Sequence, residues 1–581
     1  MHHSVILPLV RTVSPNRTSR ADLQNNAQAA GSRANATPGT FSARTRLLIP
    51  AMLLVVYVLQ CGWFIRTQSM TYDEPCHVYA GLDAWRNGRF FLWNDHPSLP
   101  RLWLTLPLLS SKYSVDFVDP HANKVVVREV TPDPITVASR GRWMNVVLGV
   151  ALAMALWFAA RAYFSVGAAN FALALYVFSP DLIAHFSLVT TDGIAVLMIF
   201  VSAVQLVRWR HDPSWPRTIW FGVVLGGLLL SKFYAPAFFL IALIVMLMFG
   251  PAGFIRARQW HWGKSLAAMF IALFLVWAAY FFHVTHLTIS NGHVVATFPN
   301  RPPFTKDTHS IRNLNLWLPA GEYIDGLREV QFHNKLGHPA FFLGKTTSGK
   351  IPAYYPVAML LKWPPVVLAT ALVGLVLLIG RWRRFAPAAI TDFVLLAVFP
   401  LLSLALAINA RLHIGVRHVL PAYPFLLLLA AGTWWMAQKS NLRRIGTTLL
   451  IVFAVLNAAD ALRSAPDYLS YFTPFVSAAE AHNLLTDSNL DWGQGLLALR
   501  GYQQQHPDEP MSLAYFGTMD PALYGIRYTP FSEGDHPMGK VVISATLLSG
   551  QYSTNAEAYR WLEKYPLKAV LDDSLYVYDV R

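Results

Sequence analysis

Charge is scarce in this chain. Asp, Glu, Lys and Arg make up 14% of its 581 residues, against about 25% in ordinary soluble domains. With 54% hydrophobic residues, that deficit excludes an ordinary soluble enzyme and points to a membrane protein. Cysteine is scarcer still, with only Cys61 and Cys76. Cys61 lies inside an apolar run, so no disulfide framework is expected, and no zinc spacing is present. No glycine-rich phosphate loop follows a strand, which argues against nucleotide chemistry. No internal repeat is visible, which weighs against an inverted-repeat transporter. Acidic side chains are nearly missing from residues 1–44, where Asp22 is the single one. That polar, basic stretch reads as a disordered cytoplasmic tail.

What the chain has is long apolar runs. A bilayer span takes about 20 apolar residues, and eleven runs approach that length: 47–65, 143–160, 164–180, 187–207, 218–231, 234–250, 265–284, 356–380, 390–409, 418–437 and 445–462. The fold class is therefore a polytopic α-helical membrane protein. With the N-terminus in the cytoplasm, the loops "RAYFSVG", "RWRHDPSWPR", "GPAGFIRARQWHWGK", "RWRRFAPAAITD" and "AQKSNLRR" fall inside. Each carries Lys or Arg, the positive-inside pattern. The formal charge of +15 is then an orientation signal rather than a nucleic-acid footprint.

This reading makes 45–462 the transmembrane domain. It puts the loops 66–142 and 285–355 and the tail 463–581 on the outer side of a cytoplasmic membrane. "DEPCHVYAGLDAWRNG" and "SLPRLWLTLPLL", both in the first outer loop, read as interfacial helices. The tail mixes helix-like "NAEAYRWLEKY" with strand-like "KVVISATLL" and "LYVYDV". It reads as a small outer α/β domain.

Chemistry-bearing residues collect on that outer side. Asp73 and Glu74 in "TYDEPCH" leave the first span together, and Pro75 follows them at the start of an interfacial helix. Taken alone, such a pair is ordinary solvated charge or a favourable partner of a helix N-terminus. The same loop adds Asp95, His96 and Arg101 in "WNDHPSLPRLW". Lys232 in "LLLSKFYAP" sits at membrane depth, where a charge is costly. Arg411, His413, Arg417 and His418 cluster in "NARLHIGVRHVLPAYPF", against the orientation bias, which suits a bound anion. Asp192 starts the fourth span, where it could equally be a cap. Asp491 and Trp492 in "DSNLDWGQGL" suit sugar binding or an Asx-rich turn.

Six segments in order resemble the membrane-embedded GT-C glycosyltransferases. They are "YDEPCHVYAG", "NDHPSLPRL", "LLLSKFYA", "GKIPAYYPVAMLLKWP", "IGVRHVLPAYPF" and "DSNLDWGQGL". The nearest resemblance is to the bacterial, phospholipid-carrier-dependent branch of the dolichyl-phosphate-mannose protein mannosyltransferase-like family, and more distantly to the lipid A aminoarabinose transferases. It implies a GT-C fold and an inverting transfer of a sugar from a polyprenyl-phosphate carrier to an acceptor hydroxyl on a protein, lipid or glycan. It implies Asp73 as general base with Glu74 beside it, and Lys232, Arg417, Arg101 and His96 around the donor phosphate. Asp192, His418, Tyr354, Tyr355, Asp491 and Trp492 are candidate substrate-binding residues. No tightly bound cofactor or metal is called for, and no nucleic-acid partner. Ser98 stands where the family has a second proline, and "IPAYYP" replaces a Trp/Tyr-rich "GWWYYFP". Two rival classes remain: a transporter or flippase of lipid-linked sugars, and a membrane scaffold with a binding outer domain.

Overall fold

A computed structural model describes residues 43–581 apart from 120–123, 251–252, 255–261, 291–292, 302 and 308–313. The N-terminal tail lies outside the described residues. Every one of the eleven apolar runs contains helix, but not every helix is a span. Among the described residues, seven are long and apolar enough to cross a membrane: Leu47–Thr67, Pro134–Tyr163, Asp192–His211, Trp262–Ala279, Pro387–Asn409, Leu420–Gln438 and Arg443–Arg463. An eighth arises if Tyr354–Lys362 and Pro365–Gly380, bent by 114° at Trp363 and Pro364, count as one. Proline cannot continue the ladder of hydrogen bonds and restricts the residue before it, so the break falls there.

The expectation of about eleven spans is matched by seven or eight described helices on length and composition, the remaining apolar runs forming shorter helices. Val166–Val177, Trp215–Leu229 and Ala235–Met248 have 12, 15 and 14 residues. At 1.5 Å per residue they reach about 18 to 22 Å, short of a hydrocarbon core of about 30 Å.

The first outer loop does hold two helices. α1 (Glu74–Asn87) begins at Asp73, carries Pro75 in its first turn and ends at Gly88 with φ 60°. α2 (Ser98–Thr105) follows. A hairpin, β1 (Lys112–Asp119) and β2 (Lys124–Thr131), then leads to the next span. The second loop was not expected to be structured so fully. It forms a four-stranded sheet around β3 (Val284–Ser290), then α3 (Gly321–Leu336). A short hairpin of β4 (Pro339–Phe342) and β5 (Lys345–Ser348) completes it.

After Arg463 the chain builds a five-stranded mixed sheet, in which Gly539–Ser544 pairs parallel with Met511–Ala514 and antiparallel with Leu575–Val580. "KVVIS" and "LYVYDV" are strands as read, but "NAEAYRWLEKY" yields only a 3-10 turn, Arg560–Lys564. One hydrophobic cluster runs from Tyr57 in the first span to Tyr576 in this sheet.

Candidate functional site

The site forms where the first span ends and the later loops return. Asp73 occupies the N-cap of α1, yet its side chain makes no capping bond. It accepts instead from Arg417 Nη1 at 3.0 Å. The same nitrogen lies 3.6 Å from Asp192 Oδ2, and Asp192 Oδ1 accepts from Lys232 Nζ at 2.6 Å. Four residues spread over 344 positions in sequence thus form one alternating acid–base cluster, at the ends of four membrane segments. Burial works against the charge on Arg417, but Asp73, Asp192 and Asp487 outweigh it and raise the guanidinium above its ordinary value.

Arg417 is held from beneath. Its guanidinium lies 4.2 Å from the centre of the Trp492 ring, a cation–π contact. Its loop is pinned by Asn489 Oδ1, which accepts from Val416 N at 2.9 Å, and by Ser488 Oγ on Ile414 O. Gly415 has φ 145°, and a Cβ there would meet Ser488 Oγ at 2.1 Å, so only glycine fits this crossing.

Glu74 plays a different part from its neighbour. Its side chain is fully buried against an equally buried Arg142. Oε1 accepts from Arg142 Nε (2.8 Å) and Val189 N (2.7 Å), Oε2 from Arg142 Nη2 (2.6 Å) and Thr71 N (2.8 Å). With its acceptor positions occupied by the fold, Glu74 is a brace for the turn that presents Asp73, not a reacting group. Arg142 was missed from sequence because it looks like one more loop cation.

Three further sequence assignments change. Arg101 spends its guanidinium on backbone, donating to Leu92 O at 2.5 Å and His96 O at 2.6 Å. It shapes the 92–96 turn and offers no free fork to a phosphate. Asp491 is buried and accepts from Gly493 N and Thr546 N, so it holds a turn rather than a sugar. Trp492 is 2% exposed and acts through Arg417.

His96 stays near the cluster, its Nδ1 3.1 Å from Asp95 Oδ1 and its ring 5.1 Å from that of His77. Asp95 also faces His333 at 3.7 Å. Burial, the largest influence, opposes its ionisation, but His96 and His333 prevail and hold the carboxyl well below its usual range. His418 is pushed well below the ordinary histidine value, first by burial and then by Arg417. Tyr354 and Tyr355 are fully buried. Their hydroxyls engage Asn489 and Leu412 O, and their rings flank His413. They line the support of the Arg417 loop.

Asp487, the first residue of "DSNLDWGQGL", stands in an unusual conformation. Its φ of 57° is unusual for a side chain with a Cβ, and its Oδ2 accepts from Tyr552. Burial pushes its carboxyl up to about 6.

Residues 137–279 match the family described as dolichyl-phosphate-mannose-protein mannosyltransferase. No curated protein matches the chain. Among solved structures, the S. cerevisiae protein O-mannosyltransferase Pmt1-Pmt2 complex bound to the sugar donor is similar with a TM-score of 0.48 and 10% identity. That match covers 73% of this chain and 90% of the other. ArnT from Cupriavidus metallidurans bound to undecaprenyl phosphate has a TM-score of 0.43 at 11% identity, covering 92% and 98%. The family match agrees with the resemblance over the segment that holds "LLLSKFYA": residues 137–279 of this polytopic membrane protein are similar to the dolichyl-phosphate-mannose-protein mannosyltransferases.

Proposed function

We propose that the chain is an inverting glycosyltransferase that moves a sugar from a polyprenyl-phosphate carrier to an acceptor hydroxyl on the outer face of a cytoplasmic membrane. The observation that carries this reading is the uneven exposure of the charge cluster. Side-chain exposure is 29% at Asp73, against 7% at Arg417, 9% at Lys232 and 2% at Asp192. One carboxylate opens outward while the cations behind it are fixed and dry, where electrostatic contacts are strong.

In this reading the donor's phosphate sits by Lys232 and Arg417, with its tail in lipid. The acceptor oxygen attacks the anomeric carbon as the bond from that carbon to the phosphate oxygen breaks. The hydroxyl proton passes to Asp73, and the electron pair leaves on the polyprenyl phosphate, whose negative charge the two cations stabilise. Proton transfer is needed at the attacking oxygen only, because a phosphate leaving group needs no protonation. The basic loops lie at the opposite helix ends, where His211 Nε2 meets Asp392 Oδ2 at 2.8 Å and Lys264 donates to Pro213 O. That separation supports an outward-facing site.

The test is transfer in vitro from a panel of synthetic polyprenyl-phosphate sugars, read by product mass spectrometry, with Asp73→Asn alongside. Loss of a product that the parent forms, in a variant that stays folded, is expected. Undiminished turnover in Asp73→Asn overturns the assignment of the base. Movement of the intact lipid-linked sugar across the bilayer without any new glycoside overturns the transferase reading in favour of a flippase.

A further inference from the structure

Helix α3 runs across the ends of several membrane helices. Near its start, Tyr323 donates to Leu229 O at 3.1 Å, the last residue of Trp215–Leu229. Ala320 N donates to His283 O, just beyond Ala279. A Cβ on Gly326 would fall 2.4 Å from Phe233 and from Asn94 O, so the helix lies directly on the segment that carries Lys232. At its far end, Arg411 N donates to Asn334 Oδ1 at 2.9 Å, two residues past the end of Pro387–Asn409. Sixteen residues measure about 24 Å along the axis. The helix is therefore parallel to the boundary where three membrane helices stop.

Polar contacts tie it to neighbouring segments: Asp325 takes Arg301 and Asn94, and His333 faces Asp95. Its C-terminal end is open. Phe332 and Leu336, 55% and 70% exposed, are one turn apart and form a short apolar stripe on one side, with Gln331 and Lys335 exposed beside it. Cations border the far end of this stripe. Lys335 and Arg411 are exposed, and Arg411 Nη1 donates to Lys335 O at the helix C-terminus, where the macrodipole favours positive charge. The turn of the β4–β5 hairpin adds exposed Leu343 and Lys345. Water would penalise the stripe and hydrocarbon would penalise the lysines. The headgroup layer accommodates both.

We propose that α3 lies in the headgroup layer and binds anionic lipid there, through the apolar stripe and the cations at its C-terminal end. This proposal does not depend on the transferase reading, and its test reads lipid contact rather than transfer. The full chain is reconstituted in neutral phosphatidylcholine vesicles as Phe332→Cys or Leu336→Cys, labelled with a fluorophore; Cys61 and Cys76 are buried. Leu336, the last helical residue, serves if the Phe332 variant does not fold. Quenching is compared between headgroup-nitroxide phosphatidylglycerol and headgroup-nitroxide phosphatidylcholine at equal mole fraction.

Phosphatidylglycerol should quench about fivefold better, as expected for a basic side chain near an anionic lipid. Lys335→Glu with Lys345→Glu should bring the ratio to about one. A label at Glu557, 64% exposed in the C-terminal segment, should respond to neither lipid. Equal quenching by both lipids, or quenching by aqueous iodide and by neither lipid, overturns the proposal.

Discussion

Arg142 grips Glu74 through two hydrogen bonds, and neither side chain reaches solvent. Adjacent carboxylates in sequence therefore have opposite fates in the fold. Glu74 points into the protein and is neutralised there, while Asp73 points out and keeps an open edge.

This division separates stability from activity. Arg142→Leu leaves a buried carboxylate without its counter-charge and should cost about 3–5 kcal/mol. It should be visible as a large drop in thermal denaturation temperature in detergent. Asp73→Asn keeps an acceptor for Arg417, whose charge Asp192 and Asp487 still balance, and should cost clearly less than Arg142→Leu while removing transfer. Equal destabilisation by the two substitutions would refute the brace assigned to Glu74.

Lys232 and Asp192 make a second test. Lys232→Gln removes a cation from the proposed donor phosphate and should raise the donor KM by about tenfold or more, one charge-assisted hydrogen bond's worth. A donor titration at saturating acceptor measures it. An unchanged KM would separate Lys232 from the donor and leave it as a partner of Asp192 alone.

Arg101 should behave as a structural residue. Arg101→Leu orphans the carbonyls of Leu92 and His96, at about 1–3 kcal/mol, and should make the 92–96 turn more sensitive to limited proteolysis. Donor affinity lost in a variant whose turn stays protected would restore the phosphate role expected from sequence.

Asp487 gives a pH signature. Its carboxyl is raised from 3.8 to about 6 by burial, so the folded chain holds this proton more tightly than the unfolded one. That contribution to stability is complete below about 3.8 and is lost as pH rises through about 6. Asp487→Asn cannot ionise and tolerates a left-handed backbone. Its melting temperature should match the parent near pH 4 and exceed it by a few degrees above pH 7. A difference that does not change with pH would overturn the buried titration.

Much of this was legible in sequence, and the failures have physical causes. Apolar runs locate helices because hydrocarbon demands internally satisfied backbone. Their number exceeds the described helices that are long enough alone to cross, since the run 164–180 forms a helix of only 12 residues, Val166–Val177. Asp73, Lys232 and Arg417 stand out in sequence because isolated charges at membrane ends are costly, and the fold brings them into one cluster. Arg101 and Asp491 were misread because their partners are backbone groups, which any sequence supplies and none advertises. Arg142 and Trp492 act through side chains 68 and 75 residues away, a relationship that only the folded chain reveals.

Residues 69–72 meet the segment after Arg463 at the site. Tyr72 N donates to Trp492 O at 2.7 Å, Ser69 N to Gln494 O at 2.9 Å, and Met70 N to the Tyr524 hydroxyl across 454 positions. The stretch that presents Asp73 emerges early in synthesis, but the backbone that fixes it is made last. A nascent chain with every membrane helix already inserted would still lack the floor beneath Arg417 and the edge against residues 69–72. The charge cluster therefore has its full support only once residues 487–524 have folded back against residues 69–72.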